Sequence, residues 1–452
     1  MGDGYLALLR QPSATGPPPR WDGGCGPGVT VLIPTYTAPG DRRTDTLRLC
    51  LSTVLNAAPA GGGMAVALVV VDNGLSTVDA RTVGELLRAC GCAYRIVTAP
   101  RVDGGRYTVA QARNAGLDYL ARQPAASPLR QRWLLFLDDD TALAPHALAQ
   151  LCGALHAQER AIAACPRVVP VSNLAASLRR NGHRQGAAPR PRRLPGPLRP
   201  GGYDLLSVTS HGSLVTGRTV GLLVRQDPVL YWIRERAPLF YEGTPYGSTE
   251  DMLAMAMLSR LGELWSVPGA EVADEARKTP GATRAQQFAW GYDHAWLAWA
   301  LAEAGVLTPG VHALEWRAGT GWEHTSADWG PHSGFLVNPG ELRLGYRMLR
   351  AIAADREVTV QMFGPRADAV RAGIREMGRV LRRWHAGAGS AQRRPRTDLP
   401  PLAARDWAGL RDGMDSLLGH LAGNAAGSLD HPPFFLYGAR QPAAHPVDWS
   451  TP

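Results

Sequence analysis

"RWLLFLDDDTAL", residues Arg132 to Leu143, is an apolar run of strand length that ends in three consecutive carboxylates, Asp138, Asp139 and Asp140. Like charges side by side repel one another and resist desolvation. Two readings follow. Either something positive sits at the end of a buried strand, or the triplet is a solvated acidic turn capping the next helix. A hard divalent cation such as Mg²⁺ or Mn²⁺ takes carboxylate oxygens and also bridges phosphates. Asp138 and Asp140 suit that ligand role, with Asp139 turned elsewhere or bonded to backbone. Asp-x-Asp is a common pattern, so its neighbours decide.

Moving outward, the same rhythm repeats. "VTVLIP" (Val29 to Pro34) precedes helix-compatible "TDTLRLCLSTVLNA", and "AVALVVVD" (Ala65 to Asp72) precedes "VDARTVGELLRAC". "YRIVTA" precedes "TVAQARNAGLDYLARQ", and the quoted run precedes "PHALAQLCGALHAQ". Strands that are apolar throughout, rather than alternating, predict a parallel sheet covered by helices on both faces. In such sheets ligands bind at the carboxyl ends of the strands. That puts Thr35, Tyr36, Asp72 and the Asp triplet on one rim.

The remainder divides by composition. Residues 1–28 form an irregular Gly/Pro leader, 29–170 a first half, and 171–202 a mobile Pro/Arg-rich insertion in which Arg192 and Arg193 read as solvated. Residues 203–300 form a second half, where "TEDMLAMAMLSRLGELW" has helical periodicity with Thr249 as its N-cap. A Trp-rich, helical extension (301–385), a linker (386–402) and a C-terminal segment (403–452) follow.

The net charge of +9 rests almost wholly on arginine, since Lys278 is the only lysine. A basic balance suits anionic ligands without choosing among them. No stretch approaches the roughly 20 apolar residues of a membrane span. The N-terminus lacks a basic start followed by a long apolar segment, which argues against export. Cys25, Cys50, Cys90, Cys92, Cys152 and Cys165 show no CxxC pair or zinc spacing and read as free thiols in a reducing cytoplasm. No Walker glycine loop, HExxH pair or GxSxG elbow occurs, and a nucleic-acid role lacks its aromatic or fold context. His324, Asp328 and His332 are spaced four apart, but the intervening Gly and Pro spoil the helix that would join them.

A first strand ending "IPTY", a second ending "VVVD", then "GGRYTVAQARNAGL" and "FLDDD", together resemble the nucleotide-sugar domain of family-2 glycosyltransferases. "SHGSLVTGR" is similar to the donor-sugar segment of the cellulose and chitin synthase branch. "TED" (Thr249 to Asp251) matches that branch's catalytic tripeptide, and "QQFAW" (Gln286 to Trp290) its Gln-x-x-Arg-Trp motif, with Ala289 where arginine is expected. The likeness covers roughly residues 28 to 295.

This resemblance implies the A-type nucleotide-diphospho-sugar transferase fold, a Rossmann-like, mostly parallel α/β sheet, here with a mostly helical C-terminal extension. It implies a nucleotide-diphospho-sugar donor, most simply UDP-linked, and a carbohydrate or small-molecule hydroxyl acceptor. Asp72 would accept from the base; Thr35, Tyr36, Arg113, Asn114 and Asp139 would belong to the nucleotide side. Asp138 and Asp140 would hold Mn²⁺ or Mg²⁺ on the diphosphate. Gly212, Ser213, Gln286 and Trp290 would line the donor and acceptor pocket, while Trp296 and Trp299 read as core. Asp251 would be the general base of an inverting transfer, with Glu250 orienting the acceptor or an arginine.

Two departures matter. Where many relatives carry a histidine near the metal, "VPGAEVADEARK" offers Asp274 and Glu275. The missing arginine of "QQFAW" and the absent spans argue against a processive synthase and for a soluble enzyme making single transfers. A sugar nucleotidyltransferase and a non-catalytic nucleotide-sugar-binding protein remain as alternatives. The first fits "IPTYTAPGDRRTD" poorly.

Overall fold

Strand β1 (Gly26–Thr35) carries Val29, Val31, Leu32 and Ile33, all fully buried, so both of its faces are covered. The computed structural model describes Tyr5, Leu8 and residues 26–36, 43–57, 64–99, 108–171, 174–175, 192–193, 219–275, 280–303, 315–317, 321–323, 350, 352–375, 419, 422–423, 426–427 and 430. In it β1 pairs in parallel with β2 (Val66–Asp72) on one side and β4 (Gln131–Phe136) on the other. β3 (Ala93–Thr98) adds to β2 as the edge strand and is much more exposed than its neighbours.

Crossover helices α1 (Arg43–Ala57), α2 (Thr77–Ala89) and α3 (Val109–Arg122) join these strands. Side-chain alternation sorts the core into two layers. Val29, Val31, Ile33, Leu68, Val70 and Leu135 pack with α1, α2 and α4 (Ala147–Ala157). Leu32, Val69, Val71, Leu134 and Phe136 pack with α3, α5 (Gln226–Glu235) and α6 (Glu250–Leu261). This is the doubly covered parallel half expected from the apolar runs.

The second half is mixed. β8 (Leu223–Arg225) pairs antiparallel with β4, and β6 (Ala161–Val171) pairs antiparallel with β8. β9 (Glu263–Glu275) runs parallel to β6, and β5 (Thr141–Leu143) closes against it in the opposite direction. The sheet order is therefore β3-β2-β1-β4-β8-β6-β9-β5. A helical C-terminal region follows, with α7 (Pro280–Glu303) and α8 (Arg356–Phe363). Among the described residues no helix is long and apolar enough to cross a membrane.

Two expectations are corrected. The helix read through to Trp265 stops at Leu261, and Glu263–Trp265 belongs to β9. Gly262 lets the chain pass close to a neighbouring backbone: a Cβ there would lie 2.7 Å from the Arg160 carbonyl, which accepts the Glu263 N–H at 2.7 Å. Arg192 and Arg193, read as part of a mobile insertion, form the two-residue strand β7, paired with Ser266 and Trp265 of β9.

Gly116 brings α3 close to the sheet, since a Cβ there would sit 2.8 Å from Leu32 Cδ1 and 2.9 Å from Val71 Cγ2, both side chains fully buried. Gly116→Val is therefore expected to cost about 1–3 kcal/mol by overpacking, read as a lower urea midpoint at unchanged slope.

Candidate active site

Alternation continues past the end of β4 and sends the three aspartates in different directions. Phe136 faces the α3 layer and Leu137 the α1 layer, so Asp138 meets Arg113 of α3 while Asp139 meets Thr35 at the end of β1. Asp139 is closed off from solvent, and its Oδ2 accepts the Thr35 hydroxyl at 2.6 Å. It braces two strand ends together. Asp140 is half-buried, and its carbonyl accepts the Glu275 N–H at 3.1 Å, just beyond the pairing of Thr141 with Asp274. The thiol of Cys50, on α1, donates to the Asp138 carbonyl and is pushed far up in pKa by burial.

Arg113 stands at the centre. It is 3% exposed and reaches three carboxylates: Nη2 donates to Asp138 Oδ1 at 2.9 Å, and Nη1 donates to Asp251 Oδ1 at 3.0 Å and Glu250 Oε1 at 3.3 Å. Burial alone would lower its pKa, but the three carboxylates outweigh that and raise it. Its guanidinium lies 5.3 Å from the Phe240 ring centroid. Thr219 adds two bonds to Asp251, from its hydroxyl to Oδ1 at 2.7 Å and from its N–H to Oδ2 at 3.3 Å.

The adjacent acids of α6 differ. Asp251 is partly open, whereas Glu250 is buried with Oε2 unpartnered among the described residues. Burial, and then the negative charge of Asp251, push Glu250 up to about 8 against the pull of Arg113. Thr249 precedes the helix but makes no side-chain capping bond, and its hydroxyl is buried without a partner among the described residues.

The other sequence candidates fall as follows. Asp72 ends β2 with Oδ1 accepting the N–H groups of Gly74 at 3.0 Å and Leu75 at 2.7 Å, so part of its role is to shape that turn. Tyr36 is exposed on the same rim. Asn114, by contrast, is spent on structure: it donates to the Phe240 carbonyl and to Glu242 Oε1, each at 2.7 Å, and accepts the Phe240 N–H at 3.1 Å. Gln286 and Trp290 are half-buried on α7. Trp296 is buried and stacks on Tyr241 at 5.6 Å. Gly212, Ser213, His324, Asp328 and His332 lie outside the described residues, as do the side chains of Trp299, Arg192 and Arg193.

Sequence reading missed Asp293. It is fully buried on α7 and accepts the N–H of Tyr246 at 2.9 Å, the N–H of Ser248 at 2.8 Å and the Ser248 hydroxyl at 2.7 Å. It thereby clamps the loop that leads into Glu250. The available signal was helical spacing, because residues 286, 290 and 293 share a face.

Among the described residues no three His, Cys, Asp or Glu side chains gather closely enough to hold a metal ion on their own. The donor set still fits a hard divalent ion. Mg²⁺-type sites commonly take one or two carboxylates together with substrate phosphates and water. Asp138 meets that description, with a side chain 30% exposed at the rim and Oδ1 held by Arg113.

Residues 27–293 match the model of a family described as glycosyltransferase-like family 2. The chain belongs to that family. This glycosyltransferase is also similar to solved structures at low identity. One is TarS 1–349 of S. aureus, at 12% identity and TM-score 0.38, covering 89% of this chain and 91% of that one. Another is the mannosyltransferase PcManGT from Pyrobaculum calidifontis, in complex with GDP-Man and Mn²⁺, at 15% identity and TM-score 0.44, covering 95% and 93%. No curated protein matches the chain. The sheet described above, parallel first half and mixed second half with helices around it, is the A-type architecture expected of the family.

Two outcomes follow for this glycosyltransferase. A carboxyl whose folded pKa is raised contributes stability that is full below its unfolded value and is lost as pH rises through the folded one. With Glu250 at about 8, metal-free wild type should therefore lose melting temperature relative to Glu250→Gln as pH rises from about 4.5 through about 8. Parallel curves for the two proteins would remove the assignment. Asp293→Ala should release the loop, seen as amide exchange at Tyr246 and Ser248 faster by about 10-fold or more, with strand amides unchanged.

Proposed function

We propose that this glycosyltransferase moves a sugar from a nucleotide-diphospho-sugar, UDP-linked, to a hydroxyl of a carbohydrate or small-molecule acceptor, with inversion at the anomeric carbon. The observation that carries this reading is that one guanidinium reaches both Asp138 at the end of β4 and Asp251 at the start of α6. Two carboxylates from separate elements thus share one guanidinium, which supports assigning one to the donor side and the other to the acceptor side. Both keep access to solvent, at 30% and 25% side-chain exposure, while Asp139 and Glu250 beside them are closed off.

In this mechanism Asp72 accepts an N–H of the base, and Thr35 and Tyr36 flank the nucleotide. Asp138 and Asp140 are the residues that would hold Mn²⁺ or Mg²⁺ on the diphosphate side of the site. When bound, such a cation offsets the charge that develops on the departing diphosphate. Asp251 takes the proton from the acceptor hydroxyl as its oxygen attacks the face opposite the leaving group. Arg113 and Thr219 fix the orientation of Asp251, and Glu250 fixes Arg113. Gln286 and Trp290, on the helix that clamps the loop before Glu250, suit the acceptor side.

The direct test follows UDP release from UDP-glucose and UDP-N-acetylglucosamine with Mn²⁺, alongside UDP binding by calorimetry. Asp251→Asn should leave UDP affinity intact and lower turnover by ~10²–10⁴. Wild-type turnover in that variant would remove Asp251 from the role. Pyrophosphate release from UTP and a sugar phosphate would replace the reading with nucleotidyl transfer.

A further inference from the structure

Arg113 sits between the two working edges of the site rather than on either one. Its Nη2 serves Asp138 at the end of β4, and its Nη1 serves Asp251 and Glu250 at the start of α6. A guanidinium is planar and rigid, so fixing one nitrogen fixes the direction of the other.

The group is also locked from behind. Its helix begins at a complete capping box, in which the Thr108 hydroxyl accepts the Gln111 N–H and the Gln111 side chain accepts the Thr108 N–H. The Phe240 ring beside the guanidinium is held by Asn114 through its backbone and by an edge contact with Phe136 at 5.5 Å. A side chain held this firmly is a gauge, not a mobile ligand arm.

Resting on the function proposed above, we propose that Arg113 is a positioning residue that couples the cation edge to the general base. Its single positive charge is shared between Asp138 and Asp251. Were Asp138 engaged by a cation, its hold on Nη2 would weaken and the guanidinium would serve Asp251 more fully, setting the base in line. Conversely, removing the charge of Asp251 leaves Arg113 to Asp138 and the weaker Glu250 contact, so its hold on Asp138 tightens against a cation.

This is tested on the full chain, saturated with UDP, by titrating Mn²⁺ and counting free ion by electron paramagnetic resonance. A double-mutant cycle separates the link from simple loss of charge. Asp251→Asn should weaken Mn²⁺ binding by about 5-fold or more when Arg113 is present and by less than about 2-fold in the Arg113→Lys background, because an ammonium cannot bridge both carboxylates. An equal effect in the two backgrounds overturns the link. Wild-type protein that binds no Mn²⁺ overturns the cation reading of the function instead, so the two failures are distinct.

Kinetics give a second readout. Arg113→Lys should lower kcat for UDP release from UDP-N-acetylglucosamine by about 10-fold or more with donor KM little changed, as expected when alignment rather than donor binding is lost. A change confined to KM would make Arg113 a donor ligand and overturn the proposal. Should Arg113→Lys show no cooperative melt, Phe240→Leu replaces it: the guanidinium stays but loses its backing ring, and the effect of Asp251→Asn on Mn²⁺ should shrink. An undiminished effect there overturns the link equally.

Discussion

A guanidinium taken out of water is costly, and it is tolerated only where carboxylates and hydrogen bonds replace the lost hydration. Arg113 is 3% exposed and draws its partners from two elements other than its own, the end of β4 and the start of α6. Those elements lie far apart in sequence, with Asp138 and Asp251 on opposite sides of the inserted β6–β8 region. The ion-pair cluster is thus the seam along which the parallel first half and the mixed second half are held in register. It also answers why a buried strand can end in three acids. Asp138 turns to Arg113, Asp139 to Thr35, and Asp140 lies against β9.

Behind this seam the segment from Leu239 to Ser248 is tied down at several points. The Tyr5 hydroxyl donates to the Leu239 carbonyl, Asn114 grips Phe240 and Glu242, and Asp293 clamps Tyr246 and Ser248. Arg366, just after α8, lies 4.7 Å from the Tyr246 ring centroid and 4.8 Å from that of Phe288. The C-terminal helical region therefore buttresses the loop that delivers Glu250 and Asp251. Gly247 completes the arrangement: at φ 72° it adopts the left-handed conformation, and a Cβ there would fall 2.9 Å from Thr108 at the start of the Arg113 helix. The loop before α6 and the helix that carries Arg113 are in direct contact.

The first half was legible because strands buried on both faces leave unbroken apolar runs, and their carboxyl ends mark a ligand rim without any knowledge of tertiary contacts. The second half was less so. β8 is three residues long and β7 two, too short to show a period, and each is defined by its partner strand rather than by its own composition. Gly262 broke a helical pattern where the close approach of the Arg160 backbone, invisible in sequence, decided the outcome. Within the site, a strand end pointed to Asp138 and the resemblance of "TED" to Asp251, but neither pointed to the bridge between them. "ARN" gives two polar neighbours of equal appearance; helix geometry sends Arg113 to the carboxylates and Asn114 to a backbone clasp. Asp293 escaped notice because its partners are 45 and 47 residues away.

The pairing of Glu250 with Asp251 has its own electrostatic logic. Were both ionised together with Asp138, one guanidinium would face three negative charges in a partly desolvated space. Burial and the neighbouring charge of Asp251 push the Glu250 carboxyl up, which weakens its claim on Nη1 relative to Asp251. Asp138 and Asp251 are the two partners of Arg113 that keep solvent exposure. The residual negative charge lies at the rim. Substituting aspartate for Glu250 would shorten its reach to Arg113, which is why two adjacent acids on one helix turn are not interchangeable here.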